Sequence, residues 1–191
     1  MSVRVARRRA AVRKDTAAAL LDAAVEVLVS DPSASLAEVA EAAGIGRTTL
    51  HKHYPTRDHL LRAVGHRSID RWEQMVAGAT RSADDDGGLR ALAEAMIAVG
   101  PYLAFLWRSP IFDHAEDIAH RRREVAPQVL AVLKRAQARG LLRADVPDFW
   151  LLRTFYSVVY VATDSIDDGN LAPLAAPDLV VDTLSRGLGP P

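Results

Sequence analysis

The chain has 191 residues, 49% of them apolar and 25% charged, with 24 Lys/Arg balanced by 24 Asp/Glu and no cysteine. That length suits one compact unit, or a small head on a larger body, with apolar content ample for a core. The absence of cysteine excludes disulfides, thiolate zinc sites and thiol nucleophiles, and no apolar run reaches the ~18–20 residues of a membrane span.

Residues 1–14 hold six Lys/Arg and no acid. No uninterrupted apolar region and cleavage site follow them, so they do not read as a secretory signal. Such an arm either tracks phosphates or a minor groove, or is a solvated tail. The zero net charge hides an asymmetry: residues 1–67 carry eleven Lys/Arg against seven Asp/Glu, and the rest is acidic by the same excess. A basic head on an acidic body favours one orientation on a polyanion. The first helix, with Thr16 as its cap, turns Leu20, Leu21, Ala24, Val25, Leu28 and Val29 inward and ends at Asp31-Pro32-Ser33.

The stretch Leu36 to Leu61 organises the head. Leu36, Val39, Ala40 and Ala43 form one apolar helix face, opened by the capping box Ser35/Glu38 and closed by Gly44. A second helix is held to about two turns because Pro55 disfavours helical backbone at Tyr54. Leu50 and Tyr54 face inward, and Arg47, Thr48, His51 and Lys52 outward. Short hydrogen-bonding and cationic side chains on a short exposed helix suit a major groove flanked by phosphates, so the segment reads as a helix-turn-helix.

The run AAGIGRTTLHKHYPTRDHLL resembles the DNA-binding signature of the tetracycline-repressor (TetR) family of bacterial transcription regulators. Ala40, Ala43, Gly44, Ile45, Thr49, Leu50, His53, Tyr54, Pro55, Thr56, Leu60 and Leu61 fit the family pattern, and Leu20 to Ala24 match its first helix. Arg57 stands for the usual lysine, Gly46 for a capping serine and His51 for a tyrosine. The turn after the first helix is shorter and lacks the usual Gly-aromatic pair. The resemblance implies that Arg47, Thr48 and His51 read base edges, while Thr49, Lys52, His53 and Arg57 hold phosphates. For His53 the alternative is a core histidine bracing its helix. Arg57 opposes the dipole at the start of the fourth helix, which a docked phosphate would resolve.

The fourth helix runs from its cap, Thr56, to about Thr80 with Leu61, Val64, Ile69, Trp72 and Val76 inward. Ser82 to Gly88 read as a solvated loop; its aspartates lack the alternation of a calcium loop. Leu89 to about Trp107 is an apolar helix bent at Gly100-Pro101. Ile111 to about Glu124 and Pro127 to Arg139 form one or two helices ended by Gly140. Pro147 to about Ile166 is apolar nearly all round, so it buries two faces, with a companion helix near Pro177 to Arg186. In the resembling family such a pair meets its symmetry mate in a four-helix dimer interface, which places Leu152, Val159, Val180 and Leu184 there; the alternative is a core helix of a monomer.

No catalytic nucleophile elbow, phosphate loop, dinucleotide fingerprint or H-E-x-x-H occurs. Asp113 to His120 spaces possible metal ligands along a helix, but such a run is more often a charged face, here with Arg121 to Arg123 beside it as salt partners. Tyr102, Phe105, Trp107, Phe112, Trp150, Phe155 and Tyr156 either line an apolar pocket, with His114 or Asp117 as polar anchor, or are plain core. The expected protein is all-α, with a basic arm (1–14), a three-helix helix-turn-helix domain (15–60) and a helical ligand-binding and dimerisation body (61–191). The expected partners are an operator duplex, a small organic effector and a second copy of the chain, in a bacterial cytoplasm, with no metal, cofactor or membrane. The rival expectation is a ligand-sensing or scaffold dimer without sequence-specific DNA binding.

Overall fold

In the computed structural model, residues 17–81, 88–112 and 115–188 are described, and no strand occurs among them. The basic arm, the Thr16 cap, the turn at 82–87, Asp113 and His114 lie outside them. The head comprises α1 (17–30), α2 (Leu36–Ala42) and α3 (Arg47–His53); the body comprises α4 (Arg57–Thr80), α5 (Leu89–Ala98), α6 (Gly100–Arg108), α7 (Glu116–Ala138), α8 (Asp148–Asp167) and α9 (Ala176–Leu188).

The head is built on the apolar faces expected of it. Leu20, Ala24, Val25 and Leu28 of α1 meet Val39 and Ala40 of α2, Leu50 of α3 and Leu60 of α4, all buried. Glu38 and Ser35 close the capping box reciprocally: the Glu38 amide donates to Ser35 Oγ (3.3 Å) and the Ser35 amide to Glu38 Oε2 (2.7 Å). Gly44 then reverses the chain at φ +65°, a backbone that a side chain would oppose. At its own start, α3 has only Gly46, with no side-chain cap.

That gap suggests a stabilising change. Gly46 has φ −67° and ψ 141°, and an added Cβ meets nothing closer than Thr49 Oγ1 at 3.8 Å. Gly46→Ser is expected to stabilise the head by a few tenths of a kcal/mol by capping α3, seen as a small rise in the urea midpoint.

Thr56 caps α4, its Oγ1 accepting from the His59 amide at 3.3 Å. This helix spans head and body: Leu60 and Val64 sit in the head core, and Ile69, Trp72 and Val76 in the body. The apolar run after it is two helices rather than one bent helix, crossing at 67° about Val99. Pro101 falls in the first turn of α6, where its missing N–H removes no helical bond. Gly100 lets α6 approach α8 so closely that a Cβ there would lie 2.3 Å from Thr163 Cγ2. The next helix starts later than expected, because Pro110–Phe112 is a single 3-10 turn, and of the two alternatives it is one helix, α7 running unbroken through Pro127.

Ion pairs fasten α7 onto α4. Arg121 donates to Asp70 (2.7 Å) and Glu73 (2.8 Å), and His66 Nε2 lies 2.8 Å from Asp117, which Arg62 also approaches. His120 lies 3.6 Å from Glu124. The described part of the Asp113 to His120 run is thus a charged helix face engaged with its neighbours, and no cluster of three potential metal ligands occurs among the described residues. Gly140 (φ +76°) ends α7, and Gln137 Nε2 donates to the carbonyls of Arg143 (2.6 Å) and Val146 (3.3 Å), fixing the turn into α8. No single described helix is long and apolar enough to cross a membrane.

Candidate nucleic-acid interface and effector cavity

Of the seven residues of α3, only Leu50 is buried. It anchors the helix, and the rest of the surface follows from helical geometry. Arg47, Thr48 and His51 share one exposed face; Thr49, Lys52 and His53 are exposed beside it. His53 therefore does not brace the core. The helix carries two permanent cations, two histidines and no carboxylate, a composition suited to phosphates and base edges.

Arg57 departs from the expected arrangement. Its guanidinium turns back under the head and donates to the carbonyls of Pro32 (2.5 Å) and Ala34. Asp31 shapes the same turn by accepting from the amide (2.8 Å) and hydroxyl (2.6 Å) of Ser33. These hydrogen bonds hold the Asp31 carboxyl below its ordinary pKa. The short α1–α2 turn lacks the Gly-aromatic pair, and Arg57 fastens it to α4 instead. Two of its five N–H donors are thereby engaged with carbonyls of the turn.

Head and body are joined at Asp22. Its carboxylate accepts two bonds from Arg67 of α4 (2.8 and 2.7 Å) and one from the Tyr102 hydroxyl of α6 (3.0 Å), with Arg71 at 3.4 Å. Burial acts to raise the Asp22 pKa, but the hydrogen bonds from Arg67 and Tyr102 outweigh it and hold the carboxyl below its ordinary value. One residue of α1 is thereby clamped to two body helices.

In the body, a cavity of ≈ 840 Å³ opens between α4, α6, α7 and α8, within the usual span of small-molecule sites. Trp107 and Tyr156 line it, together with Trp72, Arg122, Leu152 and Tyr160, among others, which sequence reasoning did not place there. Tyr156 stands edge-on between two indoles, 6.1 Å from Trp72 and 5.7 Å from Trp107. The other expected pocket residues go elsewhere. Phe105 and Phe112 pack edge to face in the core, Phe155 is fully buried, Tyr102 serves Asp22, and Trp150 faces outward on α8. His114 lies outside the described residues. Helical spacing identifies a stripe of aromatics but not which of them borders a void.

The expected dimer residues also need correction. Val159, Val180 and Leu184 are at most 2% exposed within one protomer, so they have no area left to give a second. They pack α8 and α9 onto the body; Leu152 borders the cavity instead. The outward side of the same helices carries the free apolar surface. Trp150, Val161 and Leu179 are each at least half exposed and border a groove of ≈ 590 Å³ between α8 and α9.

Residues 20–64 match the family model for bacterial regulatory proteins of the tetR family. Over 177 residues the chain is 30% identical to the HTH-type transcriptional repressor LfrR of Mycolicibacterium smegmatis, covering 92% of each. It is 27% identical over 158 residues to the HTH-type transcriptional regulator NfxB of Pseudomonas aeruginosa, covering 80% of this chain and 83% of that one. The crystal structure of the TetR-like regulator LfrR in complex with proflavine matches at a TM-score of 0.80 and 28% identity, over 94% of this chain and 99% of that chain.

Proposed function

Because this chain belongs to the TetR family of bacterial DNA-binding transcriptional regulators, we propose that it is a cytoplasmic repressor released from a near-palindromic operator by a small organic effector. The exposed, carboxylate-free face of α3 carries this reading. Residues 1–14 act as a basic arm, 15–60 as the DNA-binding domain, and 61–191 as the ligand-binding and dimerisation body. Arg47, Thr48 and His51 read base edges, and Thr49, Lys52 and His53 grip phosphates. Arg57 positions the α1–α2 turn against α4. The relative LfrR is described in complex with proflavine, and the matching role here falls to the cavity around Tyr156.

Two copies associate through the outward faces of α8 and α9, around Trp150, Val161 and Leu179. Two-fold pairing sets two α3 helices in successive major grooves. The route from effector to DNA runs along α6, which holds Trp107 at the cavity and Tyr102 at Asp22. An effector shifts this equilibrium only by its differential affinity for the two arrangements.

Selection of bound sequences from a random duplex pool is the decisive experiment, and an inverted repeat is expected. No enrichment by a folded protein would remove the repressor reading in favour of a sensor without sequence-specific DNA binding. On the selected site, Arg47→Ala is expected to lose about 1–3 kcal/mol and to relax preference at one position per half-site; an equal loss on all sequences would make Arg47 a phosphate contact. Lys52→Ala should flatten the salt dependence by about one ion per half-site, whereas Arg57→Ala should leave that slope unchanged.

A further inference from the structure

A second void lies where the head meets the body. Leu28 and Val29 in the last turn of α1, Leu61 of α4, and Ala104 and Phe105 of α6 line a cleft of ≈ 150 Å³. Among the described residues, it shares none of its lining with the cavity around Tyr156. Leu28 and Phe105 are buried, so two of its walls belong to the packed core. Arg57 and Ser109 are its polar members, and two donors of Arg57 are already engaged on the carbonyls of Pro32 and Ala34. The other described residues that line it are apolar.

Side chains that border a void lose the dispersion contacts that a filled site would give, and an apolar void of about this volume admits a benzene-sized molecule. We propose that this cleft is a second ligand site, taking a single-ring apolar molecule, and that its occupant biases the position of the head. The ring would touch α1, α4 and α6 at once, and so would favour the arrangement of the three that forms the cleft. The same arrangement holds Arg57 on the α1–α2 turn and Asp22 on Arg67 and Tyr102. Occupancy of the cleft is independent of the reading of this chain as a repressor, whereas its effect on DNA rests on that reading.

The test uses the full-length chain and fluorobenzene as probe, its binding followed by fluorine NMR. Ala104→Leu, with folding checked by circular dichroism, places a side chain in the cleft and is expected to abolish binding. Leu152→Trp, which narrows the larger cavity, should leave it unchanged. Ser109→Leu provides the same comparison as Ala104→Leu from the end of α6, should that variant fail to fold. In the native chain the probe should raise the urea midpoint and change affinity for the selected operator by about five-fold, the low end of usual coupling between sites. Because Ala104→Leu carries its own occupant, it should shift operator affinity in the same direction and no longer respond to the probe. Absence of binding to the native chain, or binding that survives both filled variants, would overturn the site. Binding with operator affinity unchanged would overturn the bias on the head. A chain that selects no operator would remove the effect on DNA along with the repressor reading, and the NMR result would still decide occupancy.

Discussion

Leu50→Ala is expected to cost about 2–5 kcal/mol of stability, the usual range for truncating a fully buried leucine, and to abolish operator binding. Leu50 is 0% exposed and is the one buried residue of α3. The other six residues of the helix draw little from burial, and a two-turn helix has no independent stability in water. Its orientation on α1 and α2 therefore depends on this side chain. The head should loosen before the body does, because the buried aromatics Trp72, Phe105, Phe112 and Phe155 all lie in the body. Denaturant unfolding of the variant by tryptophan fluorescence, with all three tryptophans at positions 72, 107 and 150 in the body, should change less than unfolding followed by circular dichroism. Coincident, equally shifted transitions would mean that head and body unfold as one unit. Leu50→Met, which keeps the volume, should cost less than about 1.5 kcal/mol and preserve DNA binding.

Asp22→Ala should have the second largest effect. The Asp22 and Arg67 side chains are only 24% and 16% exposed, so removing the carboxylate leaves a guanidinium partly desolvated without its bidentate partner and the Tyr102 hydroxyl without its acceptor. A loss of about 2–3 kcal/mol is expected, below the cost of breaking a fully buried pair because water reaches this one. The folded pKa of Asp22 lies below its ordinary value, so in acid the unfolded chain binds the extra proton. The contribution of Asp22 is complete above its unfolded pKa, near pH 4, and is lost as pH falls through the lower folded value. Urea unfolding across that range should show the gap between the native chain and Asp22→Ala closing as pH drops; a gap independent of pH would mean that lost packing accounts for the effect.

The clamp also has a functional side. Asp22 lies on the head, Arg67 on the helix shared by head and body, and Tyr102 on the helix that ends at the cavity. Tyr102→Phe removes one of these bonds and keeps the ring. It should therefore weaken the coupling between effector and operator with a smaller loss of stability than Asp22→Ala.

Much of this protein is legible in its sequence because its head is specified locally. The capping box at Ser35, the left-handed Gly44, the stop at Pro55 and the period of Leu20, Ala24 and Leu28 are each short-range signals, and each recurs in the structure where the spacing put it. They fix α1 to α3, the exposed face of α3 and the family. The body differs because helical periodicity shows that a face is apolar but not which element covers it. Val159, Val180 and Leu184 had the pattern of an interface and became core, while Trp150, Val161 and Leu179 kept the outer surface. Phe105 and Phe155 had the pattern of a pocket and fill the interior, and the cavity drew its lining from Trp72, Arg122 and Leu152, residues of three different helices. Arg57 had the charge of a phosphate ligand and was taken up by the carbonyls of a turn more than twenty residues earlier. Burial, voids and the partners of a charge depend on how helices pack at long range, and only the tertiary structure decided them.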